Sequence, residues 1–471
     1  MRTGTRSPAH QWFIESLEDV VARMAARRPE EDSWWTGLAR RLAIDTTDAY
    51  YRAIMSRALD AGRALQLDSS VFAGGPVVLA CGSLGPGGSE RQVVTTANAL
   101  AGRMPDLGVQ IVCMFLSPPP QDFYRPLVRP GITVSPLPAL DTTTPALAAL
   151  AQSLPMELRD VARYVAFFHA TKPSIVHAWL DEINVKAGLA ALIAGVPRVV
   201  LSGRSVAPSN FRLFRPYMAS GYRRLLADPR VTALNNSAAG VADYRIWLDQ
   251  PEANIQVLRN GLELDAFRRV DVPAARARLR ARLGIAPDAQ VVGTISRLYE
   301  EKRPLLWIQA AAALAQVHAS CHFVYVGDGI LAGDAKALAA SLGVAPRCHF
   351  VGYQADAAEW AAGFDVFMLT SRKEGLPNVL IEAQALGVPV VTTDAGGASE
   401  TLVPGVTGWV VDSGDAIALA ERLATVLDDD AWRARARTDA PAFVASRFSI
   451  DRMLAETLRV YGVPVPEGVP A

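Results

Sequence analysis

The stretch Ser371-Arg-Lys-Glu-Gly-Leu-Pro-Asn-Val-Leu-Ile-Glu-Ala-Gln-Ala-Leu-Gly-Val-Pro-Val-Val391 decides the fold. An apolar run, Val366–Leu369, ends just before it, and another, Val388–Thr392, closes it. Between them lie a glycine-containing loop and a helical segment, Val379–Leu386. Strand, loop, helix and strand in that order form the repeating unit of a parallel sheet. Pro377 stands where a first-turn proline belongs, since its missing N–H would have no intrahelical partner there. The free N–H groups at such a helix start make an anion site suited to a diphosphate. Glu374 lies in the loop, within reach of a cleft. Glu382 lies on the helix, where its carboxylate can accept hydrogen bonds from vicinal hydroxyls such as those of a ribose. Turns of this kind abound in α/β folds, so spacing alone leaves an ordinary helix start with a solvated Glu equally open.

The same alternation extends in both directions. Upstream, Gln290–Ser296, His322–Val326 and His349–Gly352 read as further strands, separated by helices at Leu305–Gln316 and Ala332–Leu342, and Asp415–Leu427 follows downstream. The pattern pauses over the charged stretch Asn260–Asp288. Before the pause it runs through Pro76–Ala80, Val109–Leu116, Ile175–Ala178, Arg198–Ser202 and Val231–Leu234, with helices such as Arg91–Arg103, Met156–Ala170 and Ile183–Ala194. Two successive doubly wound domains are expected, facing each other across a cleft where strand C-termini and helix N-termini converge. The boundaries read as a helical extension over 1–74, a first α/β domain over 75–265, a second over 266–447, and a terminal helix and tail over 448–471. Two or three amphipathic helices, carrying Trp12, Phe13, Trp34, Trp35, Tyr50 and Tyr51, are expected in Met1–Phe72, packed on the main body.

The 471 residues are too many for one ordinary core, and 50% hydrophobic content supplies ample interior. The longest apolar runs, such as Ala187–Ala194, fall short of the ~20 residues of a bilayer span. Met1–Arg28 holds no compact apolar segment with a small-residue cleavage site. The expectation is a cytosolic chain, or one at the cytoplasmic face of the inner membrane. Basic and acidic residues balance at 47 each, which argues against bulk nucleic-acid binding. Only five of the basic residues are lysine, so Lys302 draws notice. Cys81, Cys113, Cys321 and Cys348 lie in or beside apolar runs without metal-ligand spacing, and reduced, buried thiols are expected.

Other loops fall at strand ends. Gly293-Thr-Ile-Ser-Arg-Leu-Tyr-Glu-Glu-Lys-Arg-Pro304 places Arg297 and Lys302 where two cations could neutralise a diphosphate, although an isolated pair also fits solvated surface charge. Gly82-Ser-Leu-Gly-Pro-Gly-Gly-Ser-Glu-Arg91 follows the first strand, and Gly87 and Gly88 would let backbone approach a ligand closely. Thr392-Thr-Asp-Ala-Gly-Gly-Ala-Ser-Glu400 either borders the same pocket or makes a tight turn.

Taken together, the Glu374–Glu382 segment, the Arg297…Lys302 pair, Asn260-Gly-Leu-Glu-Leu-Asp265 and Gly87-Gly-Ser-Glu-Arg91 resemble the retaining glycosyltransferases of family 4. The resemblance runs from about Gly75 to the C-terminus. It implies a GT-B fold, with the helix Phe448–Tyr461 crossing back to the first domain, and sugar transfer from a nucleotide donor with retention at the anomeric carbon. By the same analogy Arg297 and Lys302 stabilise the diphosphate, Glu374 orients the donor sugar, and Glu382 holds the ribose. Backbone at Leu376, Pro377, Asn378 and Val379 supports phosphate, and Gly87 and Gly88 approach from the first domain. No cofactor or essential metal is implied. A UDP-sugar and a glycan or lipid-linked acceptor in cell-surface polysaccharide assembly are the expected partners. A GT-B epimerase or phosphorylase and a non-catalytic assembly scaffold are the alternatives.

One departure concerns the first domain. Many members of that family carry a donor-contacting histidine after the strand corresponding to Arg198–Ser202, whereas here Leu201-Ser-Gly-Arg-Ser-Val206 has none. Arg204 or Ser202 is left for that neighbourhood. His177 also ends a strand-like run, and a satisfied structural histidine fits it as well. Arg204–Arg230 holds six arginines and one acid, interleaved with Phe211, Phe214, Tyr217 and Tyr222. Arg204, Arg212 and Arg215 are read as an acceptor or peripheral membrane side. A solvated helix face with aromatic core contacts has equal weight.

Overall fold

A computed structural model describes residues 34–63, 72, 74–140, 144–412 and 414–468. Two parallel sheets organise it. The first contains β1 (Val77–Cys81), β2 (Val109–Cys113), β3 (Thr133–Pro136), β4 (Ile175–Trp179), β5 (Arg198–Gly203), β6 (Val231–Asn235) and β7 (Ile255–Val257), in the order β3-β2-β1-β4-β5-β6-β7. The second contains β8 (Val291–Ile295), β9 (His322–Val326), β10 (Cys348–Gly352), β11 (Val366–Leu369), β12 (Val390–Thr393) and β13 (Gly408–Val411), in the order β10-β9-β8-β11-β12-β13. Strands β1, β4, β6, β11 and β12 are buried at every position, because helices cover both sheet faces. The strand order reverses between β1 and β4 and between β8 and β11, and a crevice opens at the strand C-termini of such switch points. This is the GT-B architecture.

Three strands escape the sequence reading: β3, β7 and β13. Each is short and lies at a sheet edge, and none is buried along its whole length, so the apolar run that marks a central strand is missing. The pause over Asn260–Asp288 also holds helices, at Leu264–Arg268 and Val272–Leu283. The second is Arg-rich, yet Arg280 is buried, donating to Asp365 at 2.8 Å and to the carbonyls of Ala289 and Gly363. A core position filled by a paired guanidinium hides the apolar stripe from a hydropathy pattern.

The helix Trp34–Arg63 inserts Tyr51, Ile54, Met55, Ala58 and Leu59 into the core of the first sheet. Its Asp48 accepts from Arg223 at 2.8 Å and Ser220 at 2.6 Å. The helix expected around Trp12 and Phe13 lies outside the described residues. At the other end, the helix Asp430–Phe448 on the second domain leads through Ser449 into Ile450–Tyr461. That last helix buries Met453, Leu454, Leu458 and Tyr461 with residues of β1 and of the helix Gly88–Arg103. The chain thus returns to its first sheet. Cys81 and Cys113 are neighbours on β1 and β2, with sulfurs 3.6 Å apart, and all four cysteines are free thiols; Cys348 alone is only half-buried.

Candidate active site between the sheets

The loop leaving β8 and the loop leaving β11 are tied together by Arg303. This residue adopts φ +48°, a left-handed conformation that costs a side chain energy, and it caps the helix Pro304–Val317. Its guanidinium donates to the carbonyls of Thr370 at 2.7 Å and Ser371 at 2.8 Å, while the Thr370 hydroxyl donates back to the carbonyls of Lys302 and Arg303. Held in this way, Lys302 Nζ lies 2.5 Å from Glu374 Oε1, and Ser371 Oγ donates to the same oxygen at 2.6 Å. Both members of the ion pair are largely buried, with side chains 20% and 12% exposed. Arg297 is placed differently: it is 67% exposed, 3.5 Å from Glu301 and 5.3 Å from the centre of the Tyr299 ring. It faces the first domain, where burial pushes the Glu90 carboxyl above its usual range against the opposing pull of its own backbone N–H and of Arg297.

The helix after the β11 loop begins at Asn378, so Pro377 is its cap and not a first-turn residue. The reason is local: Pro377 has ψ 109°, an extended value that ends the loop. Leu376 is 3% exposed and packs with Leu262, Ile381 and Phe448, which leaves its backbone for polar contacts. Asn260, from the segment joining the domains, donates to the Leu376 carbonyl at 3.0 Å and to Asn378 Oδ1 at 2.6 Å. Val379 occupies the same helix start, and Glu382 follows one turn later. Glu382 pairs with Arg91 of the first domain, a contact that raises the Arg91 pKa against the opposing effect of burial.

Gly87 caps the helix Gly88–Arg103, and that helix start faces the one at Asn378. A Cβ on Gly87 would lie 2.0 Å from the Glu90 carboxylate, and one on Gly88 would lie 3.1 Å from Asn378 Nδ2. The Gly396-Gly397 turn borders the same crevice. A Cβ on Gly397 would lie 1.9 Å from the Gly375 carbonyl oxygen and 2.4 Å from Ser237 Cβ of the first domain. Lys373 contacts Asn210 across the domains. Asn260, Lys373 and Asn210 were not assigned roles from the sequence. The Asn260 motif and the scarcity of lysine were the signals that could have marked two of them.

The basic aromatic stretch does not form one surface. Tyr217 and Tyr222 are 1% exposed and belong to the first core, because the helix Tyr217–Leu226 turns them inward. Arg212 and Arg215 are exposed, and Arg212 lies 3.2 Å from Glu300. Arg204 is corrected from a surface position to a buried one. It follows the C-terminal end of β5 and stacks its guanidinium 4.6 Å from the centre of the Trp179 ring. Burial lowers its pKa to about 9. His177 is structural: its ring nitrogens lie 2.8 Å from the Tyr461 hydroxyl and 2.7 Å from the Ser202 hydroxyl. Burial, with a further contribution from Arg204, lowers its pKa to about 3. Among the described residues no helix is long and apolar enough to cross a membrane, and no group of three or more His, Cys, Asp or Glu is placed to hold a metal ion.

The sequence profile of the glycosyl transferases group 1 matches residues 275–443, the part that contains Arg297, Lys302, Glu374 and Glu382. The Vi polysaccharide biosynthesis protein VipC/TviE of Salmonella typhi is 32% identical over 411 residues, covering 81% of this chain and 70% of the relative. The UDP-Gal:alpha-D-GlcNAc-diphosphoundecaprenol alpha-1,3-galactosyltransferase of Escherichia coli is 25% identical over 285 residues, 59% of this chain and 72% of that one. Among solved structures, HepE of Anabaena in complex with UDP superimposes with a TM-score of 0.67 at 22% identity, covering 82% of this chain and 99% of HepE. The crevice between the two sheets is therefore that of a GT-B glycosyltransferase, and the chain belongs to the glycosyl transferases group 1 family.

Proposed function

We propose that this enzyme is a retaining transferase that moves a sugar from a UDP-sugar to a glycan or lipid-linked acceptor in cell-surface polysaccharide assembly. The observation that carries the reading is the grouping at the β8/β11 switch point: Lys302 on Glu374, and Glu382 one turn into the helix that starts at Asn378. Relatives whose names specify Vi polysaccharide biosynthesis and a UDP-Gal donor with a diphosphoundecaprenol acceptor support the substrate classes. Complexes of HepE with UDP and with UDP-glucose support the nucleotide.

As the anomeric C–O bond to the β-phosphate lengthens, negative charge grows on the phosphate and positive charge on the sugar. Lys302, Arg297 and the amides at the Asn378 helix start meet the first where it develops. Glu374, fixed by Lys302 and Ser371, orients the sugar hydroxyls. Glu382 receives the ribose hydroxyls once Arg91 releases it. The reading assigns leaving-group charge to these protein groups and not to a metal ion. Work at the cytoplasmic membrane face, through Arg212 and Arg215, belongs to the same proposal.

The test is calorimetric titration of UDP, GDP, ADP and their sugars into the purified chain. UDP binding that Glu382→Ala weakens is expected. A folded protein that binds none of them, with or without lipid vesicles, overturns the reading.

A further inference from the structure

Arg204 is a cation that the fold encloses without neutralising. It is 9% exposed, and among the described residues its one hydrogen-bond acceptor is Asn260 Oδ1, at 2.5 Å from Nη2. Among the described residues its Nε–H is enclosed with no acceptor, and no carboxylate lies within ion-pair distance. Elsewhere in this chain a buried arginine has its counter-ion: Arg280 is 4% exposed and sits on Asp365 at 2.8 Å. A charge taken out of water without a partner is costly, and the Trp179 ring face offsets only part of that cost.

The position of this cation gives it a use. Asn260, which holds Nη2, also holds Asn378 and the Leu376 carbonyl, so Arg204 is linked by a single side chain to the helix start of the proposed phosphate site. Its own carbonyl accepts from Asn236 Nδ2 at 3.3 Å, and a Cβ on Gly375, next to Glu374, would lie 2.4 Å from that carbonyl oxygen. Arg204 therefore stands on the first-domain wall directly against the loop that carries Glu374. On the opposite wall Lys302 and Arg297 each face a glutamate, Glu374 and Glu301, whereas no described carboxylate meets the charge of Arg204.

We propose that Arg204 receives an anionic oxygen of the donor, foremost a carboxylate carried by the transferred sugar, so that this enzyme selects a nucleotide-linked hexuronic acid. The inference rests on the proposed donor site. A guanidinium suits the task because its fixed N–H geometry matches a carboxylate or a phosphate. A phosphate oxygen of the diphosphate is the other source of the same chemistry.

The experiment titrates UDP and two matched pairs, UDP-glucose with UDP-glucuronate and UDP-galactose with UDP-galacturonate, into the wild type, Arg204→Met and Arg204→Lys. For a sugar carboxylate, the wild type favours at least one uronate over its neutral partner by roughly 10- to 150-fold, the range of a charge-assisted hydrogen bond. Arg204→Met then abolishes that preference and leaves UDP and the neutral donors within about twofold of wild type, a change small beside a tenfold step. Arg204→Lys, which keeps a buried cation and so guards against a simple loss of folding, retains part of the preference. If Arg204→Met instead weakens every ligand by one factor, UDP included, the bound oxygen is a phosphate one. Equal affinities for neutral and uronate donors in the wild type, together with unchanged UDP binding by folded Arg204→Met and Arg204→Lys, overturn the inference. Failure of the wild type to bind UDP at all strikes the proposed function instead, which separates the two.

Discussion

Arg91 and Glu382 occupy each other across the cleft, and this sets up a measurable competition with a bound ribose. Ribose hydroxyls that hydrogen-bond to Glu382 must displace the Arg91 guanidinium, which contacts Oε1. The Arg91 side chain is 34% exposed and that of Glu382 14%, so solvent screens part of the attraction. A pair of this exposure is worth about 0.2–1 kcal/mol, not the several that its closeness would give in a dry interior. Arg91→Met keeps an unbranched apolar stem and removes the charge, leaving Glu382 open to the ribose. UDP affinity, measured by calorimetry, should then rise by about 1.4- to 5-fold. The gain should shrink at high salt, because salt weakens the wild-type pair and leaves nothing to weaken in the variant. A variant that binds UDP about tenfold more weakly would refute the reasoning and make Arg91 a donor contact in its own right.

Two other outcomes follow from the geometry. Lys302→Ala removes a charge-assisted bond and leaves Glu374 held by Ser371 alone; turnover should fall by ~10- to 150-fold, with a smaller change in donor affinity, and unaltered turnover would remove Lys302 from the chemistry. His177 stays neutral in the fold, whereas in the unfolded chain it takes up a proton below about 6.5, so its contribution to stability is complete above about 6.5 and is lost as pH falls toward about 3. By pH 5 that loss is about 2 kcal/mol, so His177→Gln should lose less stability than wild type between pH 7 and 5 in urea unfolding, and parallel losses would contradict the assignment.

The central strands were legible because each is an unbroken apolar run, and β9 and β11 coincide with the sequence reading to the residue. The placement of Arg297, Lys302, Glu374 and Glu382 on loops at strand ends and on the helix after one was legible, because strand ends and helix starts converge in any doubly wound sheet, while their roles rest on the family resemblance. What sequence could not supply is which wall a side chain meets. Arg204 reads as one more residue of a basic stretch until β5 places it over Trp179, and Arg91 reads as a helix-start arginine until Glu382 arrives from the other domain. Both depend on contacts between residues far apart in the chain, and hydropathy carries no information on those. The three missed edge strands failed for a different reason, since a partly exposed strand of three or four residues is too short to set a pattern, whereas β10, five residues long and also at an edge, was read.

The contacts between the two domains differ in kind from one end of the cleft to the other, and this bears on how a donor enters. Where the chain crosses back, the joint is apolar: Met453, Leu454, Leu458 and Tyr461 are buried with the first domain, and Leu262 packs with Leu376, Ile381, Val444 and Phe448. Parting such surfaces exposes apolar area at about 25 cal/mol per Å². At the crevice, by contrast, the joints are polar: Arg91 with Glu382, Lys373 with Asn210, Arg212 with Glu300, and the Glu400 carboxylate on the amides of Ala238 and Ala239. Polar joints exchange protein partners for water at only about 0.5–1.5 kcal/mol each. By this reckoning, parting the domains costs least at the crevice and most at the crossover. A donor whose ribose hydroxyls reach Glu382 replaces the Arg91 contact that it breaks there, so the exchange at that joint carries little net cost.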